Sequence, residues 1–95
     1  MSQRQRVDEP IEEMAENRTL SDDYRVMLPV SLQNEYDLRG TVIDAVVSQG
    51  GESVEVVDAE VDDQGRFTVG SKKCEIYGID CGAPVDVFVD RVVLR

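Results

Sequence analysis

The chain has 95 residues, which is enough for one small domain with a modest hydrophobic core unless a second chain enlarges it. Its 20 acidic residues outnumber its 10 lysines and arginines, the net charge is −10, and histidine is absent. Such a charge argues against binding to nucleic acid or anionic membranes through bulk electrostatics, because the field of the protein repels phosphate groups.

Residues 1 to 23 are acidic and poor in large apolar side chains, and Pro10 interrupts them. Disorder is expected for this composition, because too little apolar surface is available to offset the entropy lost on ordering. A short helix from Glu9 or Pro10 to Asn17 is the alternative, since proline suits a first helical turn. This segment is therefore expected to be an acidic arm, with a protein partner as its candidate ligand.

A strand, a helix and a second strand are predicted in the next part of the chain. They cover residues 24 to 28, residues 30 to 36 and residues 41 to 48. Apolar side chains alternate in the first strand until Pro29, which suits the start of a helix. Leu32 and Tyr36 lie four residues apart and share one face of that helix. A turn at Gly40 then leads into the second strand.

A glycine-rich hairpin turn over residues 49 to 52 follows, and the apolar alternation changes phase between Val56 and Val57. The phase change indicates a bulge or a strand boundary, and we interpret it as the boundary between two copies of a repeat. Ser71 is the predicted N-cap of a second helix, which Gly78 ends. The remaining elements are a turn over residues 62 to 65, a strand over 66 to 69, the helix over 71 to 77, a strand over 85 to 89, a turn at Asp90 and Arg91, and a closing strand over 92 to 94.

Copy one, residues 24 to 57, and copy two, residues 58 to 95, have similar sequences. Arg25 aligns with Arg66 at an offset of 41 residues, and the offset becomes 42 after one inserted residue. Further aligned pairs are Tyr36 with Tyr77, Gly40 with Gly82, and Asp44 with Asp86. The tyrosines are predicted to anchor the helices, and the aspartates to face solvent. Each copy is too small to bury its own apolar face, so the two are expected to pack together.

Copy two resembles the AbrB/SpoVT swapped-hairpin domain. The similarity covers residues 54 to 95 and is carried by Gly65-Arg66-Phe67-Thr68-Val69, by Gly78-Ile79 and by the alternating strand over residues 85 to 89. Residues 24 to 57 resemble the same pattern less closely. The resemblance implies a β-rich, all-β to α+β, swapped-hairpin barrel made of two half-repeats with short helices. Either one chain forms a pseudo-dimer or two chains form a homodimer.

Members of that family bind DNA through basic residues, and the resemblance implies double-stranded DNA as a partner here. Only Arg66, in the Gly-Arg turn, carries over directly. Lys72 and Lys73 lie one turn before the basic helix positions of the family, and Arg25 and Arg39 would add contacts from copy one. Arginine forms bidentate contacts with phosphate and guanine. The alternative, in which Arg25 and Arg66 pair with neighbouring carboxylates, stays open. The candidate partners are Asp44, Asp86 and the turn at Asp62 and Asp63.

The acidic, lysine-poor and valine-rich composition resembles that of proteins from salt-loving archaea. In molar salt the Debye length falls to roughly 3 Å, so long-range repulsion of DNA disappears. No signal peptide or membrane span is recognised, and a cytoplasmic location is expected. Cys74 and Cys81, without any histidine, are expected to be reduced thiols rather than metal ligands, and no cofactor is expected.

The sequence contains no nucleophile beside a base and no phosphate-binding glycine loop, so an enzyme is not expected. The favoured function is a DNA-binding transcriptional regulator of the AbrB-like type. The alternative is an acidic protein-interaction module or antitoxin-like protein with reduced or no DNA binding, whose partner would bind residues 1 to 23.

Overall fold

The computed structural model describes residues 9 to 93. Its elements in chain order are β1 (Glu9–Arg18), β2 (Arg25–Met27), α1 (Val30–Tyr36), β3 (Val42–Gln49), β4 (Glu52–Glu60), β5 (Arg66–Thr68), α2 (Ser71–Tyr77) and β6 (Val85–Val93). Antiparallel pairing gives a four-stranded sheet in the order β1-β6-β3-β4 and a two-stranded ribbon, β2-β5. The predicted β-rich class with short helices is confirmed.

The order of elements repeats once along the chain. Strand, strand, helix and strand occur as β1-β2-α1-β3 in residues 9 to 49, the N-terminal half, and as β4-β5-α2-β6 in residues 52 to 93, the C-terminal half. The structural repeat thus begins at β1, which lies before copy one as the sequence delimits it, and the two halves meet in the turn between β3 and β4.

Exchanging the two halves maps each sheet onto itself. In the ribbon Val26 pairs with Phe67, and these positions are equivalent at the offset of 41. In the four-stranded sheet Val46 pairs with Phe88, and these are equivalent at the offset of 42. A residue pair that maps onto itself lies on the symmetry axis. A pseudo-two-fold axis therefore passes through both pairs and crosses both layers.

One hydrophobic core lies between the four-stranded sheet and the layer formed by the ribbon and the two helices. Alternate residues of β3 and β6 point into it, as do Val26 and Phe67 of the ribbon, and Leu32 of α1 and Cys74 of α2. Because the inner face of every strand is covered, the opposite face of the ribbon points away from the core. This places the side chains that flank Val26 and Phe67 on the surface.

The expected disorder of the acidic arm does not hold for residues 9 to 23, and neither does the alternative helix. Residues 9 to 18 form β1, which pairs with β6. Ile11 and Ala15 are buried in the core, so even this polar segment supplies inward-facing apolar groups once β6 offers it hydrogen-bonding partners. Residues 1 to 8 of the predicted arm lie outside the described residues.

The predicted closed barrel is not formed by the described residues. The ribbon strands are three residues each and pair with each other, which leaves β1 and β4 as the edges of the four-stranded sheet. An isolated bridge, from Leu20 to Val26, links the end of the β1 segment to the ribbon. The fold is therefore two antiparallel layers around one core rather than a continuous cylinder of strands.

Several boundaries also differ from the sequence-based prediction. The phase change after Val56 lies inside the continuous strand β4, and β6 continues through the predicted turn at Asp90 and Arg91. In both places the pairing register is irregular, but the strand continues instead of ending. The N-cap of α2 is Gly70 rather than Ser71, whereas its end at Gly78 is confirmed.

Two equivalent aspartates bind the backbone where β1 and β4 are irregular. The Asp44 carboxylate accepts the backbone N–H of Asp58 at 2.9 Å, and the Asp86 carboxylate accepts that of Asn17 at 3.0 Å. Both donor residues have a φ of 55°. The aspartates predicted to face solvent thus lie on the outer face of the sheet, where each supports a bulged neighbouring strand.

The two aligned tyrosines differ in their environment. Tyr36 packs against the core, as predicted for a helix anchor, and its hydroxyl donates to Glu13 of β1 at 3.4 Å. Tyr77 is 45% exposed, so the prediction of an anchor is wrong at that position. Neither helix in residues 9 to 93 is long and apolar enough to cross a membrane.

Candidate nucleic-acid interface

The outer surface of the ribbon brings two of the predicted DNA-contacting residues together. Val26 and Phe67 point inward, so the outward side chains are Arg25, Met27, Arg66 and Thr68, which we call the ribbon face. Arg25 pairs in register with Thr68, and Met27 with Arg66. The two arginines are therefore diagonal neighbours, for which the expected separation is roughly 7–8 Å.

Each ribbon strand follows a tight turn with the same backbone hydrogen bond. The N–H of Tyr24 donates to the carbonyl oxygen of Ser21 at 2.9 Å, and that of Gly65 donates to the carbonyl oxygen of Asp62 at 3.0 Å. Tyr24 and Gly65 have φ angles of 62° and 81°. The residue after each turn is the ribbon arginine, so matching turn geometry places the two arginines at equivalent positions.

Arg66 is held by the carboxylate of its own turn. Its Nε atom bonds to Asp62 Oδ2 at 3.1 Å, and Asp62 Oδ1 accepts the backbone N–H of Arg66 and that of Gln64, each at 2.9 Å. These bonds, chiefly the one from the Arg66 backbone, hold the pKa of Asp62 below its ordinary value despite partial desolvation.

Arg25 has a similar but not identical partner. Its Nε atom lies 3.3 Å from Asp23 Oδ2. The Ser21 hydroxyl, which donates to the Asp23 carboxylate, is the largest of the influences that lower the pKa of that group. Asp62 is among the arginine partners predicted from the sequence, whereas Asp23 is not.

The pairing interpretation is thus realised for both arginines, and it still leaves donors available. Within residues 9 to 93 the closest contact of each guanidinium with a carboxylate is made by its Nε atom, whereas a guanidinium has five N–H donors in a planar fork. The side chains of Arg25 and Arg66 are 42% and 35% exposed. Their terminal nitrogens can therefore contact a planar ligand while the Nε atoms keep their orientation.

Both arginines also line one shallow cavity of about 330 Å³. Its lining residues are Arg25, Glu60, Val61, Asp62, Arg66 and Thr68. Two cations and two carboxylates meet there, so the local charge is mixed although the whole chain is strongly acidic. A ligand of this surface must accept hydrogen bonds from arginine and tolerate neighbouring carboxylates.

Arg18 is a further cation beside the ribbon that sequence reasoning missed. Its Nε atom donates to the carbonyl oxygen of Met27 at 3.0 Å, across nine residues of chain. The sequence predicts this residue to lie in a disordered arm, and only the pairing of β1 with β6 brings it beside the ribbon. No local pattern in the sequence predicts this contact.

The other predicted DNA-contacting residues lie elsewhere. Lys72 lines a groove of about 460 Å³ together with Tyr24 and Asp80, and Lys73 Nζ donates to the Glu55 carbonyl oxygen at 3.2 Å. Arg39 is exposed in the turn after α1. None of these three cations lines the cavity shared by the ribbon arginines, so the predicted set of five does not form one cluster.

The cysteines occupy unlike environments. Cys74 is buried in the core, and Cys81 is half-buried and packs against it. Burial is the main cause that raises the pKa of the Cys74 thiol. Residues 9 to 93 contain no group of three or more His, Cys, Asp or Glu side chains arranged to hold a metal ion.

The fold is similar to a known one. The solution structure of PHS018 from Pyrococcus horikoshii superposes with a TM-score of 0.73 at 18% sequence identity, over 90% of this chain and 96% of that protein. At this identity the similarity concerns the fold alone. No family model matches the chain, and no curated protein matches it.

Proposed function

We propose that this chain is a DNA-binding regulator that uses the ribbon face as its contact surface. The observation that carries the proposal is the pair of half-exposed arginines, Arg25 and Arg66, at equivalent positions on one two-stranded ribbon. The major groove of B-DNA is about 12 Å wide and admits a two-stranded ribbon. Arginine is also the side chain that most often contacts guanine.

The ion pairs of the ribbon arginines are compatible with this function. Exposed pairs add little to stability, so a phosphate or a guanine edge can compete for the guanidinium at low cost. The carboxylates Asp23 and Asp62 act through the Nε atoms, which orients each fork before DNA arrives. Orientation in advance lowers the entropy lost on binding.

The net charge of −10 is the main argument against DNA binding, and high salt answers it. In molar salt only contacts within a few ångströms remain effective, so two well-placed arginines count and distant carboxylates do not. We therefore propose as well that the protein works in the cytoplasm at high ionic strength. Binding under these conditions relies on base contacts more than on phosphate attraction.

Fluorescence anisotropy of labelled duplex DNA in molar KCl tests the proposal. The duplexes are the upstream region of the gene and a scrambled version, and saturable binding is expected with preference for the upstream region. Arg66→Ala is expected to weaken binding by about 5- to 150-fold, because a bidentate guanine contact is worth roughly 1–3 kcal/mol.

Arg91→Ala is the matched control for that variant. Arg91 also pairs with carboxylates, Asp44 at 3.7 Å and Asp90, but it lies on the outer face of the four-stranded sheet. The variant removes the same charge far from the ribbon face and is expected to bind as the wild type does. Equal binding by Arg66→Ala and the wild type, with both folded by circular dichroism, would remove Arg66 from the interface.

A protein-interaction module is the second candidate, and the β1 edge favours it. This edge strand carries Glu9, Glu12, Glu13 and Glu16, and its Met14 is 54% exposed. An edge strand offers unpaired backbone groups to an extended peptide, and its carboxylates would favour a basic one. Absence of DNA binding in the anisotropy experiment would favour this second function.

A further inference from the structure

The pseudo-two-fold axis of the protein leaves the surface at the centre of the ribbon face. It passes through the Val26 and Phe67 pair, so Arg25 and Arg66 lie on either side of it at equivalent positions. The exchange also carries Met27 onto Thr68. A single chain therefore presents two nearly equal sets of side chains around one axis, as a symmetric dimer would.

The backbone of duplex DNA has two-fold axes perpendicular to the helix. The base sequence has the same symmetry only where it is palindromic. A protein with two equivalent contacts gains both of them when the same base occurs at symmetric positions on the two strands. We propose that the ribbon face recognises an inverted repeat, with one chain centred on the dyad of the site. This inference rests on the proposed DNA-binding function and specifies its target.

The spacing of the arginines limits the length of that target. The backbone positions of diagonal neighbours on a ribbon are roughly 7–8 Å apart, which is about two steps of the 3.4 Å spacing of bases along one strand, so both arginines act within a few base pairs of the axis. Dimeric helix-turn-helix proteins instead contact half-sites about 34–36 Å apart. The target is therefore a compact inverted repeat within a single stretch of major groove, with guanines at the symmetric positions.

The two sides of the axis differ in two respects, so the repeat is imperfect. Met27 stands where the equivalent side chain is Thr68, and an apolar side chain favours a thymine methyl group whereas a hydroxyl also bonds other bases. Arg18 binds the backbone of Met27, and its equivalent at the offset of 41 is Ala59. One half-site is accordingly read through an apolar contact and an additional cation.

Selection from a library of short duplexes with a randomised centre, in molar KCl, tests this inference. The wild type is expected to enrich a compact, imperfect inverted repeat and to bind it as one chain per duplex by native mass spectrometry. Arg25→Ala and Arg66→Ala are expected to weaken binding to a similar degree, within about threefold of each other, because symmetric contacts of the same kind have comparable value.

Met27→Thr gives both sides of the axis a threonine and so removes one source of the asymmetry. Loss of folding would weaken binding but would not make the selected DNA sequence more symmetric. This variant is expected to enrich a more nearly perfect inverted repeat than the wild type. Arg91→Ala controls for the loss of a cation and is expected to enrich the wild-type sequence.

An enriched motif without two-fold symmetry, binding as two chains per duplex, or a loss confined to one of the two arginine variants would overturn this inference while DNA binding itself stands. The proposed function fails separately, if no duplex shows saturable binding.

Discussion

The two halves of the molecule share a backbone plan but fill the space beside the ribbon turns in opposite ways. Beside Gly65 lies the large side chain of Gln33, which is buried and donates from Nε2 to the Leu28 carbonyl oxygen at 2.6 Å. At the equivalent positions the turn residue is Tyr24 and the helix residue is the smaller Cys74, and both line one groove.

This difference shows that the two halves keep the hydrogen bond of the turn, while the turn residue and the helix residue beside it change size in opposite directions. The turn bonds of Tyr24 and Gly65 have nearly the same length, 2.9 and 3.0 Å, although tyrosine has a large aromatic side chain and glycine has none. The large helix residue Gln33 of the N-terminal half lies beside the small turn residue Gly65 of the C-terminal half, and the small helix residue Cys74 lines one groove with the large turn residue Tyr24 of the other half. Packed interiors tolerate such compensated exchanges much better than single changes in volume.

The largest expected effect comes from breaking this compensation with Gly65→Ala. A Cβ atom at Gly65 would lie 2.0 Å from the Gln33 amide, and the φ of 81° is unfavourable for any side chain. Backbone strain and displacement of a buried, hydrogen-bonded amide together are expected to lower the free energy of unfolding by about 2–4 kcal/mol. Urea denaturation in molar KCl measures it.

Gly82→Ala is the control for Gly65→Ala. Gly82 has no atom within 4 Å of the added Cβ position, so a change within about 0.5 kcal/mol is expected. The Gln33→Cys background sharpens the comparison, because it gives the N-terminal half the helix residue of the other half. There Gly65→Ala is expected to cost at least about 1 kcal/mol less. An equal cost in both backgrounds would disprove the compensation.

A smaller and equal effect is expected from the two aspartates that support the bulges. Asp44→Ala and Asp86→Ala each remove an acceptor from one backbone N–H, that of Asp58 and that of Asn17. Each is expected to lower the free energy of unfolding by about 1 kcal/mol, the net value of a typical hydrogen bond. Chemical denaturation measures both variants side by side.

Asparagine at either position keeps an acceptor oxygen, so Asp44→Asn and Asp86→Asn are expected to retain most of the stability lost in the alanine variants. If only one alanine variant is destabilised, the equivalence of the two halves does not extend to the support of their bulges. Asp44 also pairs with the partly exposed Arg91 at 3.7 Å, but such pairs add little to stability, so the two effects are expected to remain similar.

The smallest expected effect is a pH dependence of stability that arises from only one of the two ribbon turns. Asp62 in that turn occupies the position equivalent to Ser21 in the other. The pKa of Asp62 is lowered in the folded state, chiefly by the Arg66 backbone N–H. Its contribution to stability is therefore complete above the ordinary pKa of 3.8 and is lost as the pH falls below that value toward the folded-state pKa. Acid thus weakens this turn by protonating its acceptor.

The difference in urea midpoint between the wild type and Asp62→Asn, followed from neutral pH into the acid range, measures this contribution. The midpoint difference is expected to shrink as the pH falls below 3.8. Asp63→Asn is the matched control, because it removes the neighbouring carboxylate without touching the bonds to Arg66. A midpoint difference that is independent of pH would show that the Asp62 bonds do not depend on its charge.

Local sequence determined the helices and turns well. Both helices have the predicted bounds, residues 30 to 36 and 71 to 77, because proline or glycine flanks each one and the apolar spacing is helical. The hairpin turn is where Gly50 and Gly51 indicated it, with positive φ at both. These features depend on neighbours in sequence, which a single sequence displays directly.

The sequence also displays the repeat, and the repeat shows that Arg25 and Arg66 are equivalent. An alignment of the two copies identifies equivalent positions without any structure, and the register of the ribbon then places the two arginines on one surface. The remaining predicted cations, Lys72, Lys73 and Arg39, came from helix and turn positions, and their sequence spacing does not report distance from the ribbon.

Tertiary structure alone decided the first strand and the extent of the last. β3 and β4 are joined by a hairpin turn that the sequence displays, whereas β1 and β6 pair across almost the whole chain with no turn between them. A polar segment such as residues 9 to 18 becomes a strand only when a partner satisfies its backbone and buries Ile11 and Ala15. That partner lies more than sixty residues away, so local composition predicts disorder, and the position of Arg18 beside the ribbon follows only from the folded pairing.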